Sequence, residues 1–298
     1  MAISKLTFLL FPSLLPGFFC ATASPFSFPP SPRASTDHVT TSYPNRTIAG
    51  VTVIDTPVVR AAEARAREHA SDFVYNHVMR GWLFGVLLWN HHLQLQIQER
   101  SNGHPNATTT PTADATEMGT HLDLEVHAVA ALLHDLGWDR TPDSPIVSPD
   151  RRFEVDGAVA SRDFLSEHRH RHAELAGERG RSVWDRRRTQ LVWDAIALHT
   201  TASISRYKEA EVRVVGQGIM MDFQGPQLGV TEAEYAAVVA RFPQTGLRSG
   251  VNETAVWLCA SKPETTYDTF MQPFGENYVA NYSAKGHRVF DTITGLPN

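Results

Sequence analysis

Residues 124–137 read LEVHAVAALLHDLG, an apolar run that ends in His134 and Asp135 and then Gly137. Ten residues without an alternating pattern are too long for an ordinary strand, so the run predicts a buried helix, about His121 to Leu136, with Gly137 as a left-handed stop. His134 and Asp135 then fall in its last turn, where free carbonyls favour a cation. An imidazole next to a carboxylate supplies two of the ligand types that a divalent metal takes.

Upstream, Ala61 to about Gln98 has Phe73, His77, Arg80, Phe84 and Leu88 along one helical face, which turns His77 and Arg80 towards the core. Downstream, Asp156 is placed to cap a helix running through about His168. Ser182 and Asp185 resemble a capping box opening a helix through His199. A further helix spans about Lys208 to Phe223, with Val212, Val215, Ile219 and Asp222 on one face before Gly225-Pro226, and Thr231-x-x-Glu234 starts one more. No convincing strand is legible, so the expected fold is all-α. A lone buried histidine is commonly a satisfied core residue. Several polar residues on apolar faces of separate helices, however, would each be costly unless one metal satisfied them together.

The chain has 298 residues, 42% hydrophobic, enough for one sizeable domain, and its formal charge of −5 gives no general attraction for nucleic acid. Met1 to Lys5, the apolar Leu6 to Phe19 and the small residues Ala21-Thr22-Ala23 read as a signal peptide over 1–23, and Pro12 and Pro16 argue against an anchor that stays in the membrane. The expected protein is secreted, leaves no membrane segment after cleavage, and offers N-glycan acceptors at Asn45, Asn106, Asn252 and Asn281. Cys20 would leave with the signal, so Cys259 has no internal partner for a disulfide. Residues 24–56 read as a flexible Pro/Ser/Thr-rich leader. The domain is expected at 57–298, interrupted by a polar loop at 101–116.

The order His77, His134-Asp135 and a distant Asp resembles the HD-domain metal-dependent hydrolases. The segments NHVMRGWLFG, LLHDLGWD, RRFEVDGA, ALHTT and GQGIMMDFQG are similar to the cyanamide hydratase-like branch over about 57–290. The resemblance implies a helical bundle around a metal held by His77, His134, Asp135 and Asp222, with Asp194 as the competing fourth ligand beside the Arg186 to Arg188 run. It implies zinc, with Fe2+ or Mn2+ as the alternatives, and a metal-activated water as nucleophile. His199 is the candidate proton-transfer group or a ligand to a second ion. Arg80 is a candidate for orienting substrate or a member of a buried ion pair, and Glu154 is a candidate base beside the metal. Lys262 or Tyr267 is a candidate cover for the pocket. Three functions remain open: hydration of a small nitrile-like molecule with cyanamide to urea as test reaction, phosphohydrolysis of a nucleotide or other phosphoester, and a non-catalytic binding protein braced by a structural metal.

Overall fold

The computed structural model describes residues 43–101, 121–176 and 184–297. The signal peptide, the leader as far as residue 42, nearly all of the polar loop with Asn106, and Ser182 lie outside the described residues.

The first elements are strands, β1 (Asn45–Ile48) and β2 (Val51–Ile54), paired antiparallel with Ile48 opposite Val51. This corrects the reading of 24–56 as flexible throughout. Ala49 and Gly50 both have positive φ, 49° and 81°, which gives the tight turn that matches strand twist. Val51 and Val53 are buried while Thr52 between them is exposed. A strand of only four residues carries too little alternation to stand out in a Pro/Ser/Thr-rich context.

The rest is helical: α1 (Pro57–His69), α2 (Asp72–Ser101), α3 (Leu124–Leu133), α4 (Phe153–Ala176), α5 (Arg186–Leu198), the short α6 (Ala202–Ser205), α7 (Ala210–Gln224), α8 (Glu232–Arg241), α9 (Leu247–Ser261), α10 (Gln272–Tyr278) and α11 (Val289–Thr294). The stretch expected as one helix from Ala61 is thus two, because Ala70 is extended and ends α1. None of the described helices is long and apolar enough to cross a membrane.

Helix α2 packs lengthwise on α7, α3 lies between α1 and α5, and α4 pairs with α5. Glycines set how closely α2 and α7 approach. A Cβ on Gly218 would stand 2.4 Å from the carbonyl oxygen of Gly81 and 2.8 Å from the amide nitrogen of Gly85, so only hydrogen fits. Residues of every helix from α1 to α5 and of α7 are buried together with Trp82, Phe84, Leu132, Phe153 and Ile196 in one core.

Caps follow local chemistry. Asp123 begins α3 by accepting from the amides of Glu125 and Val126, Asp185 begins α5 through the Arg188 amide, and Thr231 with Glu234 forms the capping box of α8. Two expectations are corrected. Gly137 lies in a single turn of 3₁₀ helix (Leu136–Trp138) and is absent from the positive-φ glycines; what it provides is room, since a Cβ there would sit 2.1 Å from the Phe153 carbonyl oxygen. Asp156 does not cap α4, which starts at Phe153. It is buried inside the first turn, where it accepts from the Lys262 ammonium at 2.7 Å and from Arg151 at 2.9 Å.

Candidate metal centre

His134 ends α3 and His199 ends α5, and each has the same local geometry. Both lie in the right-handed helical region, and each donates Nδ1–H to the carbonyl three residues earlier: His134 to Ala131 at 2.8 Å, His199 to Ile196 at 2.7 Å. The carbonyl can only accept, so the proton sits on Nδ1 and the lone pair on Nε2. A helix end with unsatisfied carbonyls thereby fixes the tautomer and aims Nε2 away from the helix.

His77, in α2, reaches the same point from the other side. Its Nδ1 bonds the Oδ2 of Asp222 at 2.6 Å, and its Nε2 stands 3.4 Å from His134 Nε2. Asp135 follows α3 with φ −103° and ψ 20°, in the sparsely used bridge region. Its oxygens lie 3.2 Å from His134 Nε2, 3.7 Å from His77 Nε2 and 3.7 Å from His199 Nε2.

Neither oxygen of Asp135 accepts a hydrogen bond, although the residue is buried. A dehydrated carboxylate facing imidazole lone pairs is repulsive as it stands, and a cation among them removes the cost. Ligand atoms of His77, His134 and Asp135 all lie within 4.8 Å of one another. The donor set, two neutral imidazoles and a carboxylate, fits a divalent transition metal. Without a metal, a proton on His134 takes the cation's place: burial pushes the Asp135 carboxyl up, but the charge on His134 chiefly outweighs this and holds it below the usual carboxylate range, and Asp135, against burial, raises His134 in return. Burial first, then the neighbouring His134, pulls His199 down to about 4, so that it is neutral at pH 7.

Asp222 is not among these ligand atoms. Its oxygens take the Arg80 guanidinium at 2.6 and 2.7 Å, as well as His77 Nδ1, and Gln244 donates to it at 2.7 Å. Burial acts against the anion, but the bonds from His77 and Arg80 dominate and bring Asp222 down to about 2. The expected fourth ligand is thus found behind His77, where it fixes the ring by an imidazole–carboxylate bond. The reason is the i, i+3 spacing of His77 and Arg80, which sets both on the same face of α2 opposite Asp222 of α7.

Arg80 is fully buried, and its remaining donors go to the carbonyls of Phe242 and Pro243 at 2.9 and 2.8 Å. This is the ion-pair alternative, and Arg80 is not among the residues that line the cavity over the centre. Asp194, the competing ligand, accepts from Gln190 at 2.7 Å and pairs with Lys208 at 3.0 Å, not with the arginine run. Glu154 is buried beside the site, paired with Arg152, and receives the Thr200 hydroxyl at 2.6 Å. Lys262 is committed to Asp156, and Tyr267 packs on Tyr282 and His287, so neither covers the centre.

The cover comes from elsewhere. A cavity of about 350 Å3 stands over His77, Asp135 and His199, walled by Trp138, Phe223, Phe270 and Phe274 among others. Trp138 and Phe223 flank residues already singled out, whereas Phe270 and Phe274 arrive from the segment after α9, which no spacing in the sequence ties to the site.

No curated protein matches the chain. A family model does: residues 74–221 match the model described as HD domain, a stretch holding His77, His134, Asp135 and His199 and ending one residue before Asp222. Proteins of that family are mostly metal-dependent hydrolases. A mainly helical core and a buried His-His-Asp cluster on the His-Asp dipeptide accompany this match, which supports an HD domain at residues 74–221.

Proposed function

We propose that the protein is a secreted HD-type metalloenzyme that adds water to a small neutral substrate with a nitrile-like group, with cyanamide to urea as the test reaction. His77, His134 and Asp135 would hold the divalent ion, zinc first and iron or manganese as alternatives. Such an ion, when bound, supplies Lewis acidity and a nucleophile at neutral pH.

The observation that carries this reading is Asp135, buried with both oxygens bare at the floor of a cavity that no lysine or arginine lines among the described residues. His199 Nε2, with its proton held on the opposite ring nitrogen, is the base that takes a proton from the attacking water and returns it to the substrate nitrogen. Asp222 keeps the His77 ring turned so that Nε2 faces Asp135. Glu154 does not reach the attacked group directly; it holds the Thr200 hydroxyl and acts on His199 as a nearby negative charge. Phosphoester hydrolysis would need cations aimed at the phosphate, and Arg80, its candidate, is consumed by Asp222 and two carbonyls. Secretion rests on the apolar stretch Leu6 to Phe19 and the four Asn-x-Ser/Thr triplets.

The test is to purify the protein, measure bound metal by elemental analysis, and assay urea from cyanamide and phosphate from a phosphoester panel. Asp135→Asn should lower turnover by at least about a hundredfold and empty the metal while the circular dichroism spectrum is kept. If Asp135→Asn unfolds the chain and wild type turns over nothing, the metal is a structural brace and the enzymatic reading fails.

A further inference from the structure

The cavity over the centre is small, at the lower end of the roughly 300–1,000 Å3 of small-molecule sites, and its chemistry is one-sided. Among the described residues, apart from His77, Asp135 and His199, its wall offers two polar side-chain groups, the Thr200 hydroxyl, whose hydrogen is given to Glu154, and the Trp138 indole N–H. The remainder is aromatic and aliphatic. Phe223 stands with its ring centroid 5.2 Å from that of His77, and Phe270 meets Phe153, whose ring lies 5.6 Å from His199.

Two of these rings are exposed for their size, Phe270 at 40% and Phe223 at 48%. Large aromatic faces left to solvent at the mouth of a site mark a place for an apolar group. Beyond them the cavity shares Phe223, Val251 and Phe274 with an outer hollow of about 940 Å3 whose walls mix polar residues such as Gln244, Arg248 and Asn252 with apolar ones such as Leu247. The inner chamber, next to the residues proposed to hold the metal, differs from the outer one in having almost no polar lining.

We infer that the substrate carries a neutral apolar body about the size of a benzene ring, seated against Phe223, Phe270 and Phe274 with its reacting group towards Asp135 and His199. This rests on the hydration reading above. Cyanamide, small and polar throughout, would leave most of the chamber to water that finds few partners on such a wall. A nitrile R–C≡N with apolar R fits: the water oxygen bonds the nitrile carbon as one C–N π bond breaks, giving the imidic acid R–C(OH)=NH, and the hydroxyl proton then moves to nitrogen as the second C–N π bond is replaced by C=O, giving R–C(O)NH2 with no leaving group.

The experiment uses the metal-loaded full chain and two matched pairs, benzonitrile with cyanamide and phenyl phosphate with glycerol phosphate. Benzonitrile should exceed cyanamide in kcat/KM by at least about tenfold, mainly through KM, because apolar burial remote from the reacting atoms binds ground and transition state alike. Phe270→Ala, at an exposed position, should raise the KM for benzonitrile about fivefold with little change in kcat. Benzonitrile should also perturb tryptophan fluorescence in the metal-free protein, a readout independent of turnover. Equal or better use of cyanamide overturns the apolar body and leaves hydration standing. Phenyl phosphate hydrolysed in preference to glycerol phosphate, with neither nitrile consumed, overturns hydration and supports the apolar body. Turnover without preference in either pair, or no fluorescence response together with no turnover of benzonitrile, overturns the inference.

Discussion

His77, Arg80 and Asp222 form a chain of contacts in which Arg80 neutralises Asp222, Asp222 orients His77, and His77 offers Nε2 to the centre. Asp222→Asn breaks the first two links at once. It leaves the fully buried Arg80 without its counter-charge, which costs about 3–5 kcal/mol. It also frees the His77 ring, which should weaken metal affinity about 10–100-fold. Chemical denaturation and competition with a chelating dye measure the two effects separately. Asp135→Asn should differ in kind. Because its oxygens accept no hydrogen bond and only the attraction to His134 is lost, the metal-free protein should lose less stability than in Asp222→Asn while metal binding is lost. Of these residues, His77 was legible from its apolar face and His134 and Asp135 from their place at a helix end, and the resemblance to the HD-domain hydrolases made them ligands. The role of Asp222 was not, because ligand and ligand-orienting carboxylate carry the same residue type at the same spacing.

Among the elements, α2 and α7 matter most, since they carry His77 and Asp222 and their separation sets the 2.6 Å bond between them. Gly218 faces Gly81 and Gly85 across that contact. Gly218→Ala would drive a methyl group into backbone that cannot rotate away, so a loss of about 3 kcal/mol is expected. The melting temperature should fall, and metal affinity should fall with it because the two helices are forced apart. A variant that keeps both would show that the helices slide freely. Helices α5, α7 and α8 were legible to within a few residues from local signals, the Ser182-Asp185 stretch, Gly225 and Thr231-Glu234, although it is Asp185, read as the partner of Ser182, that caps α5. The hairpin at 45–54 was not, being too short to show its period. The glycines of the contact looked neutral in sequence, since only the facing backbone tells that a Cβ is forbidden.

At the scale of the molecule, the core encloses a titratable group that the proposed chemistry does not use. His127 of α3 is fully buried, both ring nitrogens lack a hydrogen-bond partner, and burial alone brings it down to about 4 from an ordinary 6.5. The unfolded chain therefore binds a proton near pH 6.5 that the folded chain refuses until about 4. Its contribution to stability is complete above pH 6.5 and is lost as pH falls through that window, by up to about 1.4 kcal/mol per pH unit. His127→Leu should flatten the acid limb of the stability curve between pH 6.5 and 4 and leave stability near pH 7 almost unchanged or raised. Urea unfolding at several pH values checks this, and an unchanged acid limb would show that His127 is not the group that titrates.

The amino-acid sequence by itself determined the helical class, the helices α3, α4, α5, α7 and α8, with α1 and α2 read as one, and the positions of His77, His134 and Asp135 that the family resemblance made into ligands, because apolar period and capping residues act within a few residues of one another. Only the tertiary structure decided which carboxylate meets the centre and which stands behind it, that Arg80 is spent on Asp222, and that phenylalanines from the C-terminal segment wall the cavity. These depend on contacts between residues some fifty to two hundred positions apart, and such distances are set by how whole helices pack.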